Sequence, residues 1–214
     1  MEIITIVTFI FILVVLLFSI VIHELAHGSV AYSLGDPTAK YAGRLTLNPL
    51  KHLDPVGSII LPILLLILAL KTGNWIIVGW AKPVPINPYN FKDKKYGDIK
   101  VSLAGPLSNI LLAIFFGLVL RLIPKEIFID NQGILIALSY IISINISLAI
   151  FNLIPIPPLD GSWVLFSLLP EKFRNIEIFL KQYGFAILMF LILFGSLQWF
   201  YSISDFLFQI ITGL

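Results

Sequence analysis

Apolar residues along this chain gather into runs at 3–34, 56–70, 75–80, 99–123, 133–153 and 185–201, separated by short polar stretches. At roughly 20 residues per membrane-crossing helix, the first, fourth, fifth and last of these are long enough to span, or nearly so. The run 56–70 is marginal, and the one after it is followed by Pro83, Pro85 and Pro88, which cannot continue a helix. The pattern therefore predicts an all-α polytopic membrane protein with about five membrane segments. Residues 56–70 read as an outward helix and 75–88 as an extended segment returning through protein, because lipid cannot satisfy an irregular backbone; a shallow re-entrant loop is the alternative. The stretch 40–48, KYAGRLTLN, reads as an extended segment or hairpin with Gly43 at its turn. A C-terminal helix is expected at about 184–204. The first run has Glu2 where a removable signal has basic residues, and its apolar stretch is too long for a signal core, so it reads as a retained helix.

Composition narrows the class. The chain has 214 residues, 58% of them hydrophobic and 12% charged, against the roughly 25% charged residues usual in soluble domains. No repeat, low-complexity tract or linker divides it, so 1–214 reads as a single membrane-embedded domain within the lipid bilayer. The net charge of +2 is small, and eleven of the fourteen basic residues fall in 36–54, 82–100 and 171–181. Clustering of this kind orients loops and excludes a nucleic-acid groove. By the positive-inside rule those three segments are cytoplasmic, which leaves the N-terminus and 121–131 outside, in a multi-pass cell-membrane protein. With no cysteine present, a metal would have to be held by His, Asp or Glu.

Such residues occur where they are costly. His23-Glu24-Leu25-Ala26-His27 lies inside the first apolar run, where each ionisable group costs about 2–3 kcal/mol near the bilayer centre. Residues four apart share a helix face, so His23 and His27 can present imidazole nitrogens to one cation, with Glu24 rotated about 100° from His23. This is the H-E-x-x-H arrangement of zinc peptidases, two ligands and a general base. A catalytic zinc takes three protein ligands and keeps one position open. Two residues compete for the third place: His52, in a polar connection, and Asp160, after a membrane helix interrupted by Pro155, Pro157 and Pro158. Asp160 is preferred, since broken membrane helices are tolerated where they line a cavity; topology alone does not exclude His52.

His23–His27, Gly105-Pro106-Leu107-Ser108-Asn109 and the run from Asn152 to Gly161, NLIPIPPLDG, together resemble the site-2 protease family of intramembrane zinc metalloproteases. The resemblance covers roughly 21–161, and GRLTLNP from Gly43 and GWAKPVP from Gly79 resemble connecting segments of its short prokaryotic members without a PDZ-like domain. It implies one zinc ion per chain on His23, His27 and Asp160, with Glu24 activating water. It further implies that Asn109 and Asn152 stand near the site as polar supports or substrate contacts, with the extended or re-entrant element close by. The implied activity is hydrolysis of peptide bonds in or near the transmembrane segments of membrane-protein substrates, typically single-span helices, as in regulated intramembrane proteolysis. The alternative is an ion or metal transporter using the same cluster, which would not single out Glu24. The topology fits the first reading: His23–His27, the Gly105–Asn109 motif and Asp160 all fall toward the cytoplasmic ends of their helices. Asn145, Ser139, Ser143 and Ser147, at spacings of four or so, read as helix-packing contacts.

Overall fold

The first apolar run forms one helix, α1 (Glu2–Ser33), about 48 Å long at 1.5 Å per residue. It ends at Gly35, whose φ of +106° suits a residue without a side chain. The Gly35 and Asp36 amides cap the carbonyls of Tyr32 and Ala31. The structure, a computed structural model, describes residues 2–72, 79–194 and 198–214. After α1 come the short α2 (Thr38–Tyr41), a π-helical turn over Pro55–Ile60 that continues into α3 (Leu61–Thr72), α4 (Gly97–Leu122) and α5 (Lys125–Asp130). The order closes with α6 (Gln132–Asn152), α7 (Asp160–Leu168), α8 (Arg174–Leu193) and α9 (Gln198–Thr212).

Among the described residues, four segments are long and apolar enough to cross a membrane: Ile6–Ser33, Gly97–Leu122, Gln132–Asn152 and Glu171–Leu193. With the shorter apolar Pro55–Ala69 beside them, they make the chain an all-α, multi-pass membrane protein. Helix α4 is central, packed against α1, α6, α7 and α9. Its apolar contact with α6 is built on Ala113, Leu120, Leu138, Ile142 and Ile146, with Leu207 and Ile211 of α9 against them. Small residues let the backbones approach: a Cβ at Gly117 would fall on the Ile211 side chain.

The connections are set by local sequence chemistry. An Asn or Asp before a proline caps three helical turns: Asn48 accepts from the Leu50 amide at 3.0 Å, Asp54 from the Gly57 amide at 2.8 Å and Asn87 from the Tyr89 amide at 3.1 Å.

Two expectations are revised in detail. Residues 40–48 form no strand among the described residues: 38–41 is helical because Ala39 is buried against α1 near Gly28. Gly43 does make a turn, at φ +65°. The single helix expected at about 184–204 is replaced by α8, ending at Leu193, and α9, starting at Gln198. Gly184 and Leu188 of α8 pack on the proline segment that follows α6. Residues 75–78 of the expected extended segment lie outside the described residues, while 79–87 runs without helix or ladder.

Candidate metal centre and active site

His23 and His27, one turn apart on α1, face α4. Their Nε2 atoms lie 3.0 Å from each other. The Oδ2 atom of Asp160 sits 3.1 Å from the first and 3.2 Å from the second. Each Nδ1 faces away and is occupied: that of His23 donates to Asn109 Oδ1 at 2.7 Å, and that of His27 to the Val101 carbonyl at 2.6 Å. With the proton on Nδ1, each Nε2 presents a bare lone pair. Two such lone pairs and a carboxylate oxygen converging at 3 Å repel one another unless a cation sits among them. Asp160 Oδ2 is, moreover, buried without a hydrogen-bond donor. Among the described residues, His23, His27 and Asp160 form the group able to hold a metal ion, and their two nitrogens and one oxygen suit zinc with a position left open.

Three backbone features bring these groups together. Gly105 lets α4 lie against the imidazoles, since a Cβ there would stand 2.5 Å from His23 Nε2 and closer still to His27 Nε2. Pro106 follows it inside α4, removing one helical hydrogen bond at the point of approach. Beyond Asn152 the chain turns tightly through Leu153–Leu159, with Ile156 N–H on Ile154 O at 2.8 Å, before Asp160 opens α7. The sequence suggests that Asp160 hangs from an unwound helix end; instead it sits in the first turn of a new helix, where a carboxylate is favoured by the helix dipole. Gly161 fits against the Leu153 carbonyl, which a side chain there would strike.

Asn109 is fully buried behind His23, away from the cavity surface. Its amide donates to Asn145 Oδ1 at 2.9 Å and the Ser19 carbonyl at 3.3 Å, and Asn145 donates to Ser19 Oγ at 3.0 Å. The packing role read for Asn145 thus reaches the metal centre. Asn152 lines the cavity and turns its amide back to the Leu148 carbonyl at 2.9 Å. His52 is also fully buried, but its Nε2 bonds the Thr46 carbonyl at 2.9 Å and it lies outside the metal-holding group.

The cavity in front of the centre measures about 420 Å³ and is bordered by His23, Glu24, His27, Asn152, Asp160 and Trp163, with Pro83 and Val84 of the 79–87 segment closing one side. Glu24 Oε2 accepts the Val84 amide at 2.7 Å. That segment is pinned along its length. Lys82 N–H donates to the His52 carbonyl at 2.9 Å, Ser58 Oγ to the Trp80 carbonyl at 2.7 Å and Asn87 N–H to Asp36 Oδ2 at 2.7 Å. Asp36, just past the end of α1, is fully buried. Burial opposes its ionisation, but the Asn87 amide, the Thr38 hydroxyl and amide and the Asn90 side chain together hold its carboxyl below the ordinary range. The sequence does not show that the Val84 amide meets Glu24, that a Cβ at Gly105 would strike the imidazoles or that Trp163 lines the cavity. Gly105 and Val84 carried a signal as parts of motifs, and Trp163 carried none.

The helical membrane fold with a buried His-His-Asp centre defines a class, membrane-embedded metallohydrolases, and sequence comparison agrees. Residues 122–194 match the model of Peptidase family M50. Two bacterial proteins provisionally named zinc metalloproteases are similar over most of their length. YwhC of Bacillus subtilis is 40% identical over 189 residues, covering 86% of this chain and 80% of that protein. Rip2 of Mycolicibacterium smegmatis is 31% identical over 204 residues, covering 94% and 74%. Zinc metalloprotease MJ0392 of Methanocaldococcus jannaschii is 30% identical over 121 residues, 54% of this chain and 34% of that one. No solved structure matches the chain. The chain belongs to this M50 family of site-2-type intramembrane zinc metalloproteases, which decides between the peptidase and the transporter.

Proposed function

We propose that this intramembrane metalloprotease binds one zinc ion through His23 Nε2, His27 Nε2 and a carboxylate oxygen of Asp160, and that Glu24 is its general base. The observation that carries the reading is the convergence of three lone pairs from α1 and the start of α7 beside the Glu24 carboxylate, on one cavity wall. Zinc, when bound, supplies Lewis-acid polarisation of the scissile carbonyl and acidifies water. Glu24 takes the proton of the attacking water and later hands it to the leaving amine. Asn109 holds the His23 ring and its tautomer, a support of the kind that tunes metal ligands, and Asn152 stands where it can hydrogen-bond substrate. The substrate is a single-span membrane helix that unwinds at the cavity, because helical carbonyls are engaged in their own hydrogen bonds. An extended substrate beside the 79–87 segment would regain some of those bonds. The clustering of basic residues in 36–54, 82–100 and 171–181 supports an N-terminus outside and an active site toward the cytoplasmic side.

The test is a paired measurement on detergent-purified protein of zinc content and cleavage of a single-span model substrate. Wild type is expected to carry about one zinc per chain and to cleave. Glu24→Gln should keep the metal and lose about 10²–10⁴-fold in kcat. Wild type without zinc, or an active Glu24→Gln, overturns the assignment.

A further inference from the structure

We propose that Arg44 is a positioning residue for Glu24, acting through the single peptide group that joins Pro83 to Val84. Arg44 is buried. It follows the Gly43 turn, and its backbone amide is fixed on the Ala39 carbonyl at 2.9 Å. Its Nη2 donates to the carbonyls of Lys82 and of Pro83, the latter at 3.2 Å. The Pro83 carbonyl and the Val84 N–H belong to one planar trans amide, whose two ends point in opposite directions. One end of this amide therefore accepts from a guanidinium, and the other donates to Glu24 Oε2 at 2.7 Å. The amide dipole lies along the line from cation to carboxylate, an arrangement in which each hydrogen bond strengthens the other.

The sequence around this peptide is suited to the task. Pro83 and Pro85 have no N–H, so across 83–85 the backbone offers a single donor, Val84, and it is the one that meets Glu24. The prolines also fix φ on both sides. The Lys82 amide is held by His52 and the Asn87 amide by Asp36, which sets the register of the segment. Both carbonyls are met by one nitrogen, Nη2, whose two hydrogens a guanidinium holds in a fixed plane and an ammonium does not. Arg44 touches neither the cavity nor the metal-holding group; what it controls is where the Val84 N–H points.

The inference rests on Glu24 being the general base, and the experiment separates the two. Arg44→Gln, Arg44→Lys, Val84→Pro and the double variant Arg44→Gln/Val84→Pro are purified beside wild type and Glu24→Gln. Zinc content, melting temperature, kcat and KM are measured, with deuterium exchange over 79–87 as a readout independent of turnover. Arg44→Gln and Val84→Pro are each expected to lower kcat about 10–100-fold, the scale of a small misplacement of a reacting group, with KM and zinc unchanged. Arg44→Lys should recover part of the loss. The double variant should be no slower than the slower single variant, since both break one link. Exchange over 79–87 should rise in Arg44→Gln.

Loss of zinc in Arg44→Gln and Arg44→Lys, an effect on KM alone, or losses that multiply in the double variant would each overturn the proposal. An inactive, zinc-loaded Glu24→Gln beside unaffected Arg44 and Val84 variants would remove the positioning role and leave the base in place. A fully active Glu24→Gln would remove the base itself.

Discussion

The two walls of the cavity in front of His23, His27 and Asp160 are held by opposite means. On the helical side, His23, Asn109, Asn145 and Ser19 join α1, α4 and α6 chiefly through side chains. On the other side, the 79–87 segment is held chiefly through its main chain: the Lys82, Val84 and Asn87 amides donate, and the Trp80, Lys82 and Pro83 carbonyls accept. A helix in a membrane has already satisfied its own backbone, so only side chains remain to join it to a neighbour. An irregular segment has its backbone groups free, and these must find partners wherever it is buried. The helical wall is therefore sensitive to which side chain stands at a position, and the segment to anything that redirects its backbone.

The largest expected effect tests the helical wall at its tightest point. Gly105→Ala should empty the metal centre as thoroughly as loss of a ligand, by at least about 100-fold in zinc affinity, because the new methyl would fall on the His23 and His27 nitrogens. Zinc titration of the purified variant measures it. Next is Asn109→Leu, which removes the acceptor behind His23 and leaves Asn145 short of a partner. A loss of about 10–100-fold in zinc affinity is expected, and an unchanged affinity would mean that the His23 ring is held by packing alone. The opposite wall should answer differently. Gly43→Pro demands φ near −65° where the backbone has +65°, so it should slow cleavage about tenfold through the turn that presents Arg44 while zinc stays bound. Equal loss of zinc in this variant would erase the distinction between the walls.

The last effect is on stability rather than on zinc or turnover, and concerns Asp36, whose amide meets α1 and whose carboxylate meets the 79–87 segment. The Asp36 carboxyl is held below its ordinary range, so its stabilisation is complete above the unfolded value of about 3.9 and is lost as pH falls through the lower folded value. Melting temperature should decline below about pH 4 in wild type and less steeply in Asp36→Asn. Asp36→Ala should cost about 2–3 kcal/mol at neutral pH, by stranding the Asn87 and Thr38 amides.

Much of the centre is legible in the order of residues along the chain. His23, Glu24 and His27 lie within five residues, and helical periodicity alone puts the two imidazoles on one face. Asp160 stands out as a carboxylate after a proline-broken membrane helix, and the choice between it and His52 falls to tertiary contact. The membrane segments are readable from apolar length, as α1, α4 and α6 bear out, whereas the break between α8 and α9 is missed by that measure, because Gly195, Ser196 and Gln198 interrupt the run 185–201 too briefly to divide it by length. The helix at Thr38–Tyr41 escapes a local reading for a related reason, since what holds it is Ala39 against α1.

The sequence by itself determined a membrane-embedded, all-helical chain with a metal-capable motif, because apolar length and residue spacing act locally and survive any arrangement of the helices. Only the tertiary structure decided which groups stand behind and beside that motif. Asn109 reaches His23 from 86 positions away. Gly105 matters through a side chain it lacks. The Val84 amide that meets Glu24 is a backbone group, carried by every residue except proline and given meaning by the place where the fold puts it.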